Sequence, residues 1–376
     1  MKSFNFILLL LLLLFQFSCS NKPETSYIME GSISPVKKDY VVLLKNSDIE
    51  RKLLDVVDTL YLNKNGEFKV DSALEPHLYT LQFDSDKKIV LAIDKGQQIK
   101  IKITNADSKD FKTNISGSKD TDVLVAYETF RKKSLDSLVQ SVRREVREIK
   151  KSEYPDQEKI KDLEQLEVTN YEIHLAELND FIKKEMGTTI GIYATSIRWK
   201  GEENFDFFNA LVDSYEKAHP NLNVTEKLRE KINRLQQTSV GGSVPDIEII
   251  NANGELLSLS SVHSKITLID FWASWCGPCR SESDILNKLY EKYKDEGFQI
   301  YGVSLDTKRD KWINAMEKDH RIWPNVSSLE GFKTPAAFDF TVTALPLNYL
   351  IDQNNKIIGK NLHSEELEIL VESLFK

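Results

Sequence analysis

The chain has 376 residues, which is too long for one compact domain and predicts two or three domains. Its shares of hydrophobic residues, 41%, and of charged residues, 29%, are those of folded soluble protein and exclude disordered and fibrous classes. With 58 acidic against 50 basic residues the chain is mildly acidic, so no nucleic-acid partner is expected.

The first residues have the pattern of a secretory signal peptide. Lys2 precedes an uninterrupted apolar run over residues 7–15. A bilayer-spanning helix needs roughly 20 apolar residues, so this shorter run favours a signal peptide over residues 1–18 rather than a transmembrane anchor. Cys19 follows directly and resembles the lipidated cysteine of bacterial lipoproteins, although Gln16 stands where their motif has an aliphatic residue. The resemblance implies a lipid anchor on Cys19.

Residues 27–117 are predicted to form a small all-β domain. Apolar and polar residues alternate over residues 79–83 and again over residues 99–103, which indicates strands with one buried and one wet face. Turn signals such as Asn65-Gly66 separate runs of this kind. Their spacing predicts an antiparallel sheet or a sandwich.

The hydrophobic pattern changes to a helical period over residues 119–238. Apolar residues recur every three or four positions on both sides of an interruption at residues 154–156, which predicts two long amphipathic helices in a hairpin. Shorter helices are predicted around residues 205–217 and 225–235. Charges of both signs surround Arg143, and such mixed charge is more typical of a solvated face than of a partner-binding or membrane-surface element. No catalytic group of residues stands out in this segment.

The last domain is predicted over residues 241–376, after a polar Gly-rich stretch. Near-continuous apolar runs at residues 266–272 and 298–303 are typical of buried strands, and helical patterns at residues 281–293 and 308–318 alternate with them. This order predicts an α/β domain. The whole chain is therefore expected to be multidomain, with an all-β domain, a helical segment and a C-terminal α/β domain.

A pair of cysteines marks the start of the first helix of this last domain. Cys276 and Cys279 enclose Gly277 and Pro278 and follow Trp275, between a predicted strand and a predicted helix. Unpaired N–H groups and the positive end of the helix dipole stabilise a thiolate there, so Cys276 is the predicted nucleophile. Cys279, one turn further on, is the predicted resolving residue because it can displace a mixed disulfide intramolecularly.

Two other uses of a Cys-x-x-Cys pair fit the sequence less well. A structural zinc site needs about four Cys or His ligands, and the six histidines form no paired spacing near the motif. A disulfide across two residues closes too small a loop to stabilise a fold much. The pair is therefore interpreted as a redox dithiol, for which neither a metal nor a cofactor is expected.

Residues 268–279 resemble the active-site segment of thioredoxin. More broadly, residues 241–376 are similar to the periplasmic thioredoxin-like reductases of the TlpA and ResA kind. The match extends to a hairpin near Pro245 and to the segments of residues 301–306 and 345–352. The resemblance implies a thioredoxin-like fold and a thiol–disulfide oxidoreductase activity.

Two further site residues are expected beside the dithiol. Asp270 lies on an apolar strand, where burial should raise the pKa of its carboxyl and suit it to accept the proton of the resolving thiol. A strand-end Asp with satisfied hydrogen bonds is the alternative. The resemblance implies that Pro346 is a cis-proline whose loop leaves the backbone of Leu345 free for an extended substrate chain, with a trans turn proline as the alternative. Asp284 stands where the family has a helix-kinking proline, which leaves the shape of that helix open.

The sequence therefore predicts an extracytoplasmic thiol–disulfide oxidoreductase of the cell envelope, lipid-anchored to a membrane, facing the periplasm and placed at the outer membrane. Gly277-Pro278 is the dipeptide of reducing thioredoxins, whose potential is about −270 mV against about −120 mV for the oxidant DsbA, so a reductase is predicted. Its expected partners are protein disulfides and a membrane electron donor.

Two alternatives to this function stay open. A peroxiredoxin-type peroxidase shares the fold and the hairpin near Pro245, although the Pro-x-x-x-Thr-x-x-Cys context of such enzymes does not occur in the sequence. A binding lipoprotein, in which residues 27–237 carry the function and the dithiol is incidental, belongs to a different class of protein.

Overall fold

The structure, a computed structural model, describes residues 28–199 and 204–376. Within these ranges the chain forms a β-sandwich, a helical segment and a mixed α/β domain. The predicted multidomain architecture with an all-β front is confirmed. The predicted signal peptide and Cys19 lie outside the described residues. None of the helices in the described part combines the length and the apolarity needed to cross a bilayer.

The front of the chain is built from short strands, namely β1 (Met29–Ser34), β2 (Tyr40–Asp48), β3 (Leu53–Tyr61), β4 (Glu67–Val70), β5 (His77–Gln82), β6 (Lys88–Ile93), β7 (Ile99–Thr104) and β8 (Lys112–Ser116). They form two four-stranded sheets, ordered β4-β1-β7-β8 and β3-β2-β5-β6. Apolar side chains of both sheets share one core, because alternate residues face inward as the sequence predicts. One feature differs from the antiparallel expectation: β1 pairs in parallel with β7.

The helical segment opens with the predicted hairpin. The helix α1 (Lys119–Leu135) continues through a turn of π-helix into α2 (Ser141–Ile149), and α3 (Gln157–Phe181) returns alongside both. Ser118 caps α1 and Asp156 caps α3, each by accepting a backbone N–H of the first turn. The hairpin is therefore delimited by local capping signals.

Further helices of the described segment are α4 (Ile192–Thr195), α5 (Phe205–Ala218) and α6 (Asn223–Gln237). They share a core with α1, α3 and the outer face of β5 and β6, where Leu78 and Ala92 are buried. Lys231 of α6, with a side chain 1% exposed, donates to Glu50 at 2.7 Å in the turn after β2. Apolar burial and this ion pair together join the helical segment to the sandwich.

The C-terminal domain comprises β9 (Glu248–Ile250), β10 (Leu256–Ser258), α7 (Leu259–Val262), β11 (Ile266–Trp272), α8 (Gly277–Ser281), α9 (Ser283–Tyr293), β12 (Phe298–Ser304), α10 (Arg309–Lys318), β13 (Asn325–Val326), α11 (Pro335–Asp339), β14 (Leu347–Asp352), β15 (Ile357–Lys360) and α12 (Ser364–Leu374). The central sheet has the order β13-β12-β11-β14-β15, with β11 parallel to β12 and antiparallel to β14. Every residue of β11 is buried because apolar clusters cover both faces of the sheet.

The helix after the cysteines is interrupted although it lacks the family's proline. Glu282 separates α8 from α9, and its ψ of −15° departs from the helical value of about −42°. Its N–H still donates to the carbonyl of Pro278, and its own carbonyl accepts from Leu286 N–H. The two short helices therefore form one nearly continuous rod behind the dithiol.

The long helix α3 also lies against the C-terminal domain. Gln165 Oε1 accepts a hydrogen bond from Ser364 Oγ at 2.8 Å, and Glu172 Oε1 accepts one from Asn361 Nδ2 at 3.2 Å. Between these contacts and the start of α3, the helix packs on α8. The helical segment thus reaches the element that carries the cysteines.

Candidate active site

The two cysteines of the predicted dithiol lie at the start of α8 and are joined by a disulfide bond. Cys276 is the N-cap residue, and its Sγ accepts a hydrogen bond from the N–H of Cys279 at 3.2 Å. Pro278 occupies the first turn, where its missing N–H removes no helical hydrogen bond. Cys276 is 5% exposed and Cys279 is 1% exposed, so the residue nearer the surface is the predicted nucleophile.

A buried carboxylate fixes the loop between β11 and the dithiol. Asp306, which is 2% exposed, accepts hydrogen bonds from the N–H of Ser274 at 2.9 Å and from its Oγ at 2.5 Å. Ser304 Oγ donates to the same carboxylate at 2.8 Å. Because Asp306 follows β12, the strand beside β11, neighbouring strand ends position the loop before Cys276.

Aromatic and apolar groups surround the dithiol. Trp272 is buried in one cluster with the cysteines, and Leu345 packs against that cluster. The peptide bond between Leu345 and Pro346 is cis. Trp275 is 58% exposed, and its ring centroid lies 6.1 Å from that of Phe332. The nearly buried sulfurs are therefore bordered by an exposed aromatic pair and by the loop that ends at Pro346.

Asp270, the predicted proton acceptor, is paired with an arginine that the sequence analysis did not identify. Its side chain is 5% exposed, and its Oδ2 accepts a hydrogen bond from Arg321 Nη1 at 2.7 Å. Burial raises the pKa of the Asp270 carboxyl, and the Arg321 guanidinium opposes that rise. Asp270 is thus both a buried carboxyl on the dithiol strand and a residue with a satisfied hydrogen bond.

Arg321 joins β11 to the helix that carries the cysteines. Its side chain is fully buried, and Nη2 donates to the carbonyl of Cys279 at 2.7 Å while Nε donates to Ser283 Oγ at 3.1 Å. The guanidinium also lies 4.0 Å from the centroid of the Trp272 ring, a favourable cation–π distance. Arg321 and Asp270 are 51 residues apart, so no local pattern in the sequence predicts the pair.

A second buried ion pair lies between α8 and α12. His363 Nδ1 and Glu282 Oε1 are 2.8 Å apart, with side chains 7% and 11% exposed. Burial alone lowers the pKa of His363, but the hydrogen bond and charge of Glu282, with smaller contributions from the charges of Asp270 and Glu172, raise the pKa above its ordinary value. Glu282 and His363 are 81 residues apart, so no local pattern in the sequence predicts this pair either.

A cavity of about 640 Å³ is lined by all three parts of the chain. Phe332, which contacts Trp275, and Thr343, in the loop before the cis bond, belong to its lining. Arg51 of the sandwich and Arg198 of the helical segment line it as well. The cavity therefore reaches the aromatic neighbour of Trp275 and is walled in part by the sandwich and the helical segment.

This arrangement suits thiol–disulfide exchange. The N–H of Cys279 that donates to Cys276 Sγ would equally stabilise a thiolate at that sulfur after reduction. The disulfide and dithiol forms of the pair differ by two electrons, and interconverting them needs only another thiol or disulfide as reactant.

Two family models match separate parts of the chain. The family model described as Redoxin matches residues 239–374, and a domain of unknown function (DUF4369) matches residues 27–124. The thiol-disulfide oxidoreductase ResA of Bacillus thuringiensis strain Al Hakam is 27% identical over 143 residues, which cover 36% of this chain and 76% of that protein. The thioredoxin-like protein YneN of Bacillus subtilis is 28% identical over 120 residues, 31% of this chain and 68% of that protein.

Solved structures cover a similar share of the chain. The thioredoxin domain of a thiol-disulfide oxidoreductase from Bacteroides vulgatus is 33% identical, covers 37% of this chain and 99% of its own, and has a TM-score of 0.35. A thiol:disulfide interchange protein from a Bacteroides species is 33% identical, with 37% of this chain and 91% of its own covered and a TM-score of 0.35. Through its C-terminal domain, this chain belongs to the thioredoxin-like thiol–disulfide oxidoreductases of the TlpA and ResA kind.

Proposed function

We propose that this protein reduces the disulfides of other proteins outside the cytoplasm, with Cys276 as the attacking thiolate and Cys279 as the resolving thiol. The observation that carries the proposal is the disulfide-bonded pair at the start of α8, with Cys276 at the N-cap. Gly277 and Pro278 between the cysteines support the reducing direction, because thioredoxin has this dipeptide and a potential of about −270 mV.

The reaction proceeds in two exchanges. The Cys276 thiolate attacks one sulfur of the substrate disulfide, forms a mixed disulfide and releases the other substrate sulfur as a thiolate, which takes up a proton. Cys279 then loses its proton and attacks Cys276 Sγ, which releases the second substrate thiolate. Two electrons have then passed to the substrate and the Cys276–Cys279 disulfide has formed. A dithiol of a membrane protein returns the pair to its reduced form.

Asp270 is proposed to receive the proton of Cys279 in the second exchange. Its burial on β11 raises the pKa of its carboxyl, which suits a group that must take up and release a proton. Arg321 contacts both the Asp270 carboxyl and the Cys279 carbonyl, so it holds the strand and the resolving residue in a fixed relation.

Protein chains are the proposed substrates because the sulfurs are bordered by groups suited to a polypeptide. Trp275 offers an exposed ring, and the cis bond before Pro346 places Leu345 against the cysteine cluster. The backbone of Leu345 can pair with an extended segment next to the substrate disulfide, as added strands do elsewhere.

The cell envelope is the proposed location. The apolar run of residues 7–15 supports export, and Cys19 supports a lipid anchor facing the periplasm, at the outer membrane. Incorporation of a labelled fatty acid by the wild type but not by Cys19→Ser, together with protection of the protein from protease in intact cells, tests this location. Equal labelling of both forms would contradict the anchor at Cys19.

Insulin reduction with a chemical dithiol as donor tests the activity. Rapid precipitation of insulin chains that depends on Cys276 supports the reductase. Peroxide consumption with slow insulin reduction would instead support the peroxidase, and inactivity in both assays would support a binding lipoprotein.

A further inference from the structure

The helical segment brings a buried carboxyl group to the turn that carries the cysteines. Glu164 of α3 has a side chain that is 5% exposed, and its Oε2 accepts a hydrogen bond from the hydroxyl of Ser281 in α8. Its Oε1 accepts a hydrogen bond from Lys150 Nζ at 2.8 Å. Lys150 follows α2 and is half exposed, so the acidic member of the pair faces the C-terminal domain and the basic member faces solvent.

Gly277, the residue directly after Cys276, is in contact with this carboxyl. A Cβ atom placed on Gly277 would lie 3.0 Å from Glu164 Cδ and closer still to Oε1. The lack of a side chain at Gly277 therefore allows the carboxyl to reach the first turn of α8. This is the turn whose N–H groups stabilise negative charge on Cys276.

We propose that Glu164 and Lys150, both residues of the helical segment, set the reactivity of the attacking thiol and form part of the redox site. The Glu164 carboxylate opposes negative charge on Cys276 Sγ, while the Lys150 ammonium favours it from a greater distance and in contact with solvent. The helical segment then tunes the reactivity of the C-terminal dithiol. This inference rests on the proposed attacking role of Cys276.

Other charged groups face the same turn, and each has a partner inside the C-terminal domain. Asp270 pairs with Arg321, and Glu282 pairs with His363. Arg280 of α8 binds Asp319 and donates from Nη1 to the carbonyl of Ser274 at 3.2 Å. Both members of each of these pairs lie in the C-terminal domain, whereas Lys150 and Glu164 lie in the helical segment, so the influence of the Lys150–Glu164 pair depends on the docking of that segment.

Two substitutions should shift the pKa of the Cys276 thiol in opposite directions, which makes the inference testable. Glu164→Gln keeps an oxygen that can accept from Ser281 but removes the negative charge, so the pKa of the Cys276 thiol should fall by roughly half a unit or more. Lys150→Gln removes the positive charge and should raise that pKa by a smaller amount, because Lys150 is half exposed and screened by water. The reduction potential should become less negative in Glu164→Gln, since a stabilised thiolate stabilises the reduced form.

Glu167→Gln is the matched control. Glu167 lies one turn further along α3, is also buried, and is held by Arg143 of α2 at 2.6 and 2.8 Å as Glu164 is held by Lys150. The same charge is therefore removed from the same helix at a position that faces Arg143 instead of α8. The control should leave the reactivity of Cys276 unchanged.

The experiment measures the rate of iodoacetamide alkylation of the reduced full-length protein from pH 5 to pH 9, and the potential against glutathione. Near pH 6, Glu164→Gln should react about threefold faster than the parent, the change that half a pKa unit produces. Opposite shifts in the Glu164 and Lys150 variants support the inference. Shifts of the same sign, or a shift in Glu167→Gln as large as in Glu164→Gln, would overturn it.

Ser281→Ala provides a second route if Glu164→Gln folds poorly. It removes the hydroxyl that holds the carboxyl but keeps both charges, so a smaller shift in the reactivity of Cys276 is expected. If neither this variant nor Lys150→Gln shifts that reactivity, the inference is also overturned.

Cys276→Ser separates the two proposals. If the parent shows no titration that depends on Cys276, the proposed function fails; if it does and only the Glu164 dependence is missing, the inference alone fails.

Discussion

Buried ion pairs serve different purposes in the two halves of this molecule. In the sandwich and the helical segment, the buried pair of Lys231 with Glu50 and the half-exposed pair of Arg143 with Glu167 join one scaffold element to another. In the C-terminal domain, the partners of Asp270 and Glu282 lie around a single pair of cysteines. The chemistry of the residues is the same in both halves. What differs is the position relative to the cysteines, so we expect the pairs of the C-terminal domain, and not those of the scaffold, to influence the dithiol.

The largest effect is expected for substitution of the two cysteines, both of which lie in the C-terminal domain. Cys279→Ser should accumulate mixed disulfides with protein partners because Cys276 can still attack but nothing resolves the adduct. Cys276→Ser should form almost none, since Cys279 is the more buried cysteine. Both variants should lose insulin reduction. Electrophoresis of envelope fractions with and without reductant shows the adducts.

The identity of the trapped proteins checks the compartment as well. The expected species are proteins with cysteines outside the cytoplasm and one membrane protein that supplies electrons. Adducts with cytoplasmic proteins alone would contradict the proposed location, and equal trapping by the two serine variants would contradict the assignment of attacking and resolving roles.

Two matched substitutions compare the buried pairs of the two halves. Arg321→Met leaves the Asp270 carboxyl buried without a counter-charge, which costs about 3–5 kcal/mol of folding free energy. Lys231→Met should cost less, because Arg234 still binds the same Glu50 carboxylate. Urea unfolding followed by tryptophan fluorescence measures both, and Trp199 is the tryptophan that lies outside the C-terminal domain. A larger loss for Lys231→Met would contradict this comparison.

Periodicity and motifs in the sequence predict the part of the site whose residues lie close together along the chain. The apolar run of β11, the Cys-Gly-Pro-Cys segment and the amphipathic helix after it are contiguous, and the structure places them as strand, N-cap and helix. The hairpin of α1, α2 and α3 was likewise predictable from its period. These features depend on side chains within a few residues of each other, which periodicity and capping describe well.

The partners of the buried charges were not predictable in the same way. A single Asp on an apolar strand indicates that a partner must exist, because a buried charge without one is costly. It does not indicate which of 50 basic residues supplies it, and Arg321 lies 51 residues away. Glu164 and Ser281 are 117 residues apart. The parallel pairing of β1 with β7 is equally non-local, so periodicity predicts the strands without their order.

Asp270→Asn should have a moderate effect that separates the two exchanges. Turnover of insulin should slow by roughly a hundredfold, the lower end of the usual contribution of a general base. Alkylation of Cys276 should stay nearly unchanged, because the first attack does not use Asp270. The urea midpoint of unfolding, measured for the same variant, checks that the asparagine side chain still accepts the hydrogen bond from Arg321. Equal turnover in the variant and the parent would leave Asp270 with a structural role alone.

The smallest expected effect concerns the pH dependence of stability at the His363–Glu282 pair, where α12 begins. The pKa of His363 is raised above 6.5 in the folded protein, since the Glu282 interaction, with smaller contributions from the charges of Asp270 and Glu172, outweighs burial. The folded state therefore holds the proton more tightly than the unfolded chain, and the stabilisation is fully present below about pH 6.5 and is lost as the pH rises through the folded pKa.

His363→Gln should accordingly be less stable than the parent below pH 6.5, and the difference should shrink as the pH rises. Glu282→Gln removes the largest cause of the raised pKa and should weaken the same pH dependence. Urea midpoints measured at intervals from pH 5.5 to pH 9 give the comparison. A constant difference across that range would show that the pair contributes packing and hydrogen bonding but no proton linkage.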